Sequence, residues 1–201
     1  MTGIAQLVEE GLVTEPDSAK GRLIKAAGQL FKEKGYARTT VRDLAAEVGI
    51  LSGSLFHHFP NKEAILRAVI EEAIHRVLAQ MYDALAKVED PVEKLRAMVR
   101  CEGHAINNDL NPGFQIMASE WRSLNPENQE SILVLRREYE GLWKKVLDTL
   151  FQQGLINVEG SFTRHFIRGA LIESHNWYDV DGKLTLEQLE DKLIQALVHS
   201  P

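Results

Sequence analysis

The sequence predicts an all-α protein in two parts, a small three-helix module near the N-terminus and a larger helical body behind it, with roughly nine helices in all. Three observations carry that expectation. Apolar residues recur at intervals of three and four along most of the 201 residues, the period of a helix with one buried face. Helix-start signals punctuate the chain, several of them an Asp or Asn directly before a proline. β-Branched alternation and Asn-Gly hairpin turns are missing from the sequence. At 44% hydrophobic and 26% charged, the composition is that of a globular chain long enough for a proper core.

Residues 1–17 read as an acidic N-terminal tail. Its short apolar cluster (Ile4, Leu7, Val8, Leu12, Val13) suggests a frayed helix or a disordered arm. Asp17 or Ser18 starts the first firm helix, whose Leu23, Ile24, Ala27, Leu30 and Phe31 share a face and which ends before Gly35. Thr40 with Asp43 makes a capping box for a second helix. That helix buries Leu44, Ala45 and Val48, and Gly49 closes it. Ser52 is read as the cap of a third, short helix that turns Leu55 and Phe59 inward and stops at Pro60. From Asn61 a periodic run through Leu66, Val69, Ile70, Ala73, Val77, Met81 and Leu85 predicts one helix of about 25 residues. Further helices are expected over 92–107, 112–123, 126–153, 162–178 and 186–199. Their start signals are Asp90-Pro91 with Glu93, Asn111-Pro112, Asn125-Pro126, Ser161, and the capping box Thr185 with Gln188.

Helix, Gly turn and short helix over residues 39–62, TTVRDLAAEVGILSGSLFHHFPNK, is the helix-turn-helix pattern, whose second helix enters the DNA major groove. Charge is segregated to match. The net charge is −6, yet residues 18–65 carry +4, against −4 for residues 1–17 and −6 for residues 66–201. A basic segment on an acidic body suits a chain that meets phosphate at one end.

The pieces LIKAAGQLFKEKGYARTTVRDLAAEVGI, LSGSLFHHF and NKEAIL resemble the N-terminal DNA-binding domain of the TetR family of bacterial transcriptional repressors. That resemblance implies a DNA-binding domain over residues 18–62 and a ligand-binding and dimerisation domain over residues 63–201. It also implies DNA contacts at Thr40, Arg42, His58 and Lys62, and the residues themselves add Ser52, Gly53, Ser54 and His57 on the reading helix. Thr40, Arg42 and Lys62 sit at helix beginnings, where main-chain N–H groups favour an anion; Lys62 is expected on a phosphate. No Arg, Lys, Asn or Gln stands between Gly49 and His58, so the helix lacks a bidentate base reader. Selection is then expected to lean on Arg42, groove shape and half-site spacing. Phe56 replaces the Tyr usual in relatives, which removes a phosphate donor and leaves Phe56 a packing residue. Neighbouring His57 and His58 diverge on a helix, so they are not read as metal ligands.

The same resemblance implies a C-terminal dimer and an enclosed effector. Phe162, Phe166, Ala170 and Trp177 on one helix and Leu186, Leu189, Leu193, Ala196 and Leu197 on the last form apolar stripes suited to a four-helix interface. Phe114, Met117, Trp121, Trp143, Phe151 and Trp177 are candidates to line a pocket. GILSGSLFHHF, EWRSLNPENQ and FIRGALIESHNWYDVDGKLTLEQL are similar to repressors of fatty-acid and steroid catabolism that respond to acyl-CoA thioesters, which implies an acyl-CoA effector. Arg122, Arg164 and Arg168 are then candidate partners for its phosphates. Trp-Tyr-Arg-Pro-Gly, frequent in those relatives, is here Trp177-Tyr178-Asp179-Val180-Asp181-Gly182, without the arginine.

The alternatives are an enzyme or a partner-binding protein. Glu102-Gly103-His104 and Glu173-Ser174-His175 each lack an orienting third group, and no phosphate-cradling Gly loop or zinc signature stands in the sequence. Catalysis, a metal and a cofactor are therefore not expected. A reading in which the C-terminal body binds a protein partner instead of a small ligand stays open. One cysteine, Cys101, and the lack of an export signal or apolar span lead to the expectation of a cytoplasmic protein that does not enter membranes.

Overall fold

A computed structural model describes residues 4–107, 112–179 and 182–199, apart from the side chain of His175. The expected cap at Asn111, the Val180-Asp181 loop and the His175 side chain lie outside the described residues. Among the described residues, the chain forms ten α-helices and one 3-10 turn, without a strand. None of these helices is long and apolar enough to cross a membrane. The residues fall into two compact units, one of residues 1–76 with 109–136, the other of residues 77–108 with 137–201.

The first unit holds α1 (Ile4–Glu9), α2 (Ala19–Lys34), α3 (Val41–Glu47), α4 (Ser52–Leu55) and the start of α5 (Lys62–Leu85). α1 does not behave as a loose tail. Leu7 and Val13 are buried, and the Thr14 amide donates to Glu72 Oε1 at 2.9 Å. The apolar cluster among the acids finds a packing surface, and a carboxylate satisfies the backbone behind it. Ser18 then caps α2, accepting from the Gly21 amide at 3.0 Å. Leu23, Ile24, Ala27, Leu30 and Phe31 are buried together with Leu44, Ala45, Leu55 and Phe59 of the following helices.

The first unit also holds residues far along the chain: after α6 (Pro91–Asn107), α7 (Pro112–Ser119) and the start of α8 (Pro126–Gln152) belong to it. α7 packs on α2. A side chain at Gly28 would meet Pro112 Cγ at 2.8 Å, and one at Gly113 would collide with the Val69 carbonyl. Those contacts need bare backbone. The single helix expected over 112–123 breaks at Glu120 into α7 and the 3-10 turn Trp121–Ser123. Glu120 Oε1 accepts from the Tyr36 amide at 3.2 Å, and Gln129 Nε2 donates to the Trp121 and Leu124 carbonyls at 3.1 Å each. Gln129 thus satisfies carbonyls left open at the break, and Glu120 satisfies an amide beyond the end of α2.

The start of α8 is joined to α5 by a polar lattice. Glu63 Oε1 accepts from the Asn125 amide and Asn128 Nδ2, both at 2.7 Å. Arg67 donates to Asn128 at 3.1 Å, and Ser131 donates to Glu71 at 2.7 Å. Asn125 caps α8 through the Asn128 amide.

The second unit packs α6 against α9 (Gly160–Trp177) and α10 (Leu186–Leu197). The capping box at Thr185 and Gln188 is formed. α9 begins two residues before the expected start, with Glu159 and not Ser161 at the cap, and without a side-chain cap bond. Leu95, Met98, Val99, Trp143, Leu147, Leu150, Ile167 and Leu171 are buried there. A charged cluster is buried with them: Arg164 forks onto Glu102 at 2.8 and 3.1 Å and onto Glu140 at 2.8 and 3.2 Å. Its guanidinium also lies 4.2 Å from the centre of the Trp143 ring.

Candidate nucleic-acid interface

The reading module is assembled by hydrogen bonds at each junction. Thr39 is buried and donates to the Gly35 carbonyl at 2.9 Å, closing the end of α2. Thr40 and Asp43 form the expected capping box: the Asp43 amide donates to Thr40 Oγ1 at 3.1 Å, and the Thr40 amide to Asp43 Oδ2 at 2.7 Å. These hydrogen bonds, from the Thr40 backbone first and its hydroxyl second, hold the Asp43 carboxyl below its ordinary range. The Thr40 hydroxyl proton is itself engaged on Asp43. Thr40 therefore sets the start of α3 and leaves Arg42, exposed one residue inside it, as the outward cation.

Gly49, at φ 71°, makes the turn, a conformation that costs other residues strain. α4 departs from expectation in two ways. Its cap position belongs to Leu51, with no side-chain cap bond, so Ser52 is the first helical residue and not the cap. Only Ser52–Leu55 is α-helical; the chain continues to Phe59 in tighter turns, with amides of Phe56, His57 and His58 bonded three residues back. Pro60 cannot donate, so the helix has no continuation there. Leu55 and Phe59 are buried as expected.

The expected contact residues separate by environment. Gly53 and His57 are exposed with Arg42, whereas Ser52, Ser54 and His58 are half-buried. A side chain at Gly53 would meet nothing within 4 Å, and its φ is not in the left-handed region. Nothing described inside the chain requires a glycine there.

Lys62, expected on a phosphate, is engaged within the chain. Its Nζ turns inward, donating to the Tyr36 and Thr39 carbonyls at 2.8 and 2.9 Å, and sits 4.1 Å from the Tyr36 ring centre. Burial lowers its pKa, and Glu120 partly offsets this. Lys62 is a staple between α5 and the α2–α3 connection. A helix-terminal position signals an anion site, but these carbonyls, brought close only by the fold, take the ammonium first.

Two exposed residues were missed. Leu51 is 80% exposed and Phe56 52% exposed, so Phe56 is not the packing residue that its chemistry suggested. The only available signal was an apolar residue at a helix start where a polar cap is usual.

Residues 23–69 match the family model for bacterial regulatory proteins of the tetR family. Residues 88–200 match the model for the tetracyclin repressor-like C-terminal domain. The chain belongs to the TetR family. It is a regulator and not an enzyme; of the two acid–histidine sequences, the first has Glu102 committed to Arg164 and His104 exposed.

Over whole chains, this TetR-family protein is 30% identical over 194 residues to the HTH-type transcriptional repressor KstR2 of Mycolicibacterium smegmatis, covering 92% of this chain and 91% of that one. Among solved structures, it resembles superantigen pfit at 42% identity, with a TM-score of 0.86 and 98% of both chains covered. It also resembles AibR in complex with isovaleryl coenzyme A and operator DNA, at 25% identity and a TM-score of 0.82, covering 90% of this chain and 98% of AibR.

The expected effector residues are distributed over both units. Phe114 and Met117 are buried in the first unit, where Trp121 is half-buried under the Arg136 guanidinium, 5.6 Å from the ring centre, and Arg122 is exposed. Trp143 is fully buried in the second unit beneath Arg164. Arg164 is already held by two carboxylates, so it is not available for a ligand phosphate. Burial alone would lower its pKa, but Glu102 and Glu140 more than offset that and raise it. Arg168 is half-buried, 3.5 Å from Glu140. Trp177 is 55% exposed and, by helical spacing, lies on the side of α9 that carries Phe162 and Phe166, away from Arg164. Phe151 is 45% exposed.

Proposed function

We propose that the protein is a dimeric, effector-responsive transcriptional repressor that binds a palindromic double-stranded operator and is released by an acyl-CoA. The observation that carries this reading is the exposed face of Arg42, Gly53 and His57 on a helix-turn-helix within residues 18–65, which carry +4 on a chain of net −6. Whole-chain likeness to AibR, crystallised with isovaleryl coenzyme A and operator DNA, supports both ligands. The likeness to superantigen pfit covers the chain end to end and names no residue on which a second reading could be built.

The DNA contacts in this reading are Arg42, Ser52, Gly53, Ser54, His57 and His58, with Thr40 and Lys62 positioning them. Dimerisation uses Phe162, Phe166 and Ala170 of α9 with Leu186, Leu189, Leu193 and Leu197 of α10. Its support is exposure: Phe162, Phe166 and Trp177 share one side of α9 and are exposed, and the α10 leucines are half-buried. A two-fold operator needs such a pairing.

Release is a population shift. The effector must bind more tightly to a dimer whose reading helices are misplaced for the operator, and its effect is limited by that difference. α5 starts at the Lys62 staple and continues into the second unit. α7 and the start of α8, which fall within the C-terminal family match, are packed on α2 and α5. These elements are the route by which a ligand moves the reading helix.

The test is selection of binding sites from a randomised DNA library, followed by titration of the bound complex with acyl-CoAs of graded chain length. A palindromic consensus released by one length class is expected. Failure to enrich any sequence would sink the DNA reading; enrichment without release by any acyl-CoA would sink the effector. Phe166→Glu is expected to give a monomer in sedimentation and to lose the palindrome.

A further inference from the structure

Leu51 is the most exposed large apolar side chain among the described residues, and Phe56 stands at the other end of the same four-residue helix. Both are costly to leave in water. At the cap, Leu51 also displaces the polar side chain that would have accepted an orphan helix amide. The fold draws no packing from Leu51 that would repay this. The neighbouring groups are the half-buried hydroxyls of Ser52 and Ser54, the open surface at Gly53 and the exposed His57. Between Gly49 and Phe59 the sequence has no Arg, Lys, Asn or Gln, so the usual bidentate contacts to guanine or adenine are not available from this helix.

Base edges in the major groove are donors and acceptors with one apolar exception, the C5-methyl group of thymine. We propose that Leu51 and Phe56 read thymine methyl groups, so that the C5 substituent of particular pyrimidines is what the α4 region recognises in sequence. Charge complementarity commits this apolar pair to DNA: it lies within the segment of residues 18–65 that carries +4 on a chain of net −6, beside the exposed Arg42. Gly53 between them presents no side chain to hold the bases off. The inference rests on the regulator reading and adds the chemical feature that the regulator detects.

Deoxyuridine differs from thymidine only by that methyl group, so it isolates the contact. Operator DNA obtained by selection is remade with uracil at each thymine of one half-site in turn, and affinity is measured by fluorescence anisotropy. Uracil at one or two positions is expected to weaken binding by the wild-type protein about 3- to 10-fold, the effect of one buried methyl group or somewhat more. Leu51→Ala weakens binding to the thymine operator by a similar factor and makes one of those uracil substitutions silent; Phe56→Ala does the same at another position. Both side chains are mainly exposed, so thermal melting of the variants stays close to wild type. Uracil-insensitive binding at every position, or a uracil penalty that persists in both variants, overturns the inference while leaving the regulator reading intact. Failure to select any DNA overturns that reading and this one with it. Self-association of the wild-type protein through this patch, abolished by Leu51→Ala while uracil sensitivity is absent, would assign the apolar pair to a second copy of the chain and overturn the thymine assignment.

Discussion

Charge is handled differently at the reading surface and in the core of the body. At the reading surface Arg42 is exposed, and Lys62 is stapled to neutral carbonyls. In the body, a guanidinium and a carboxylate are buried against each other: Arg164 and Glu102 are 6% and 2% exposed. The difference sets what a substitution can do. Changes on the reading surface alter what is bound and leave the fold intact, because the parts that hold α3 and α4 lie beneath it. Changes in the buried cluster act on the fold first, because an ion that loses its partner there has no water to turn to.

The sharpest break of that contrast is Arg164→Ala. It leaves Glu102 buried and unpaired, and is expected to cost about 3–5 kcal/mol in urea denaturation. The paired change Arg164→Met with Glu102→Leu is expected to recover most of the loss. If Arg164→Ala cost no more than a surface substitution, the cluster would not be a structural ion pair.

Glu190 offers a test in pH. It is buried on α10, and neither of its carboxylate oxygens has a hydrogen-bond partner among the described residues. The carboxyl lies against Gly103 of α6, where a side chain would collide with it. Arg100 is 3.9 Å away, and Glu187 and Asp191 are nearby. Burial pushes its pKa up from 4.5 to about 7; Arg100 opposes the rise, and Glu187 and Asp191 add to it. The folded chain therefore holds this proton more tightly than the unfolded chain, and stability falls as pH rises between those values. The expected loss from pH 5 to pH 8 is on the order of 1–3 kcal/mol by this route. Glu190→Gln should flatten that part of the profile in denaturation at graded pH.

Within the reading unit, Lys62 and Arg42 can be set against each other. Lys62→Ala removes two hydrogen bonds and a cation–ring contact, and should lower stability by about 1–2 kcal/mol while leaving the salt dependence of DNA binding unchanged. Arg42→Ala should lower the slope of log affinity against log salt by about one unit with little change in stability. A reversed pattern would return Lys62 to the phosphate.

The smallest effect on the fold is the most diagnostic at Gly53. Gly53→Ala adds a methyl group into open space in the chain, so it should stabilise by about 0.5–1 kcal/mol. The same change should weaken DNA binding at least tenfold, by an estimate of about 1–2 kcal/mol for a lost close approach. Unchanged affinity would remove Gly53 from the interface.

Short-range chemistry was legible at the capping boxes, though not at Ser52 or Ser161, neither of which caps its helix. Thr40 with Asp43 and Thr185 with Gln188 are capping boxes in the sequence and in the structure, because each needs partners only three positions apart. Helical periodicity likewise located the long α5 and α8 to within a turn. The candidate site was less legible. That Arg42 and His57 face outward follows from helical spacing, but Leu51 at 80% exposure contradicts the rule that places leucine inside. Trp177 and Trp143 share a residue type and occupy opposite environments, one 55% exposed and one fully buried. Amphipathic spacing shows that a helix has two faces without showing which neighbour covers either.

By itself, then, the sequence determined an all-helical chain, the helix starts other than those of α4 and α9, and the basic helix-turn-helix near one end. Those depend on backbone preferences and on residues close in the chain. Only the tertiary structure decided the fates of the cations. Lys62 is held by carbonyls 23 and 26 residues away, and Arg164 by a carboxylate 62 residues away. A charge goes to whichever opposite group the fold brings within reach while shutting out water, and that proximity is a property of the packed helices.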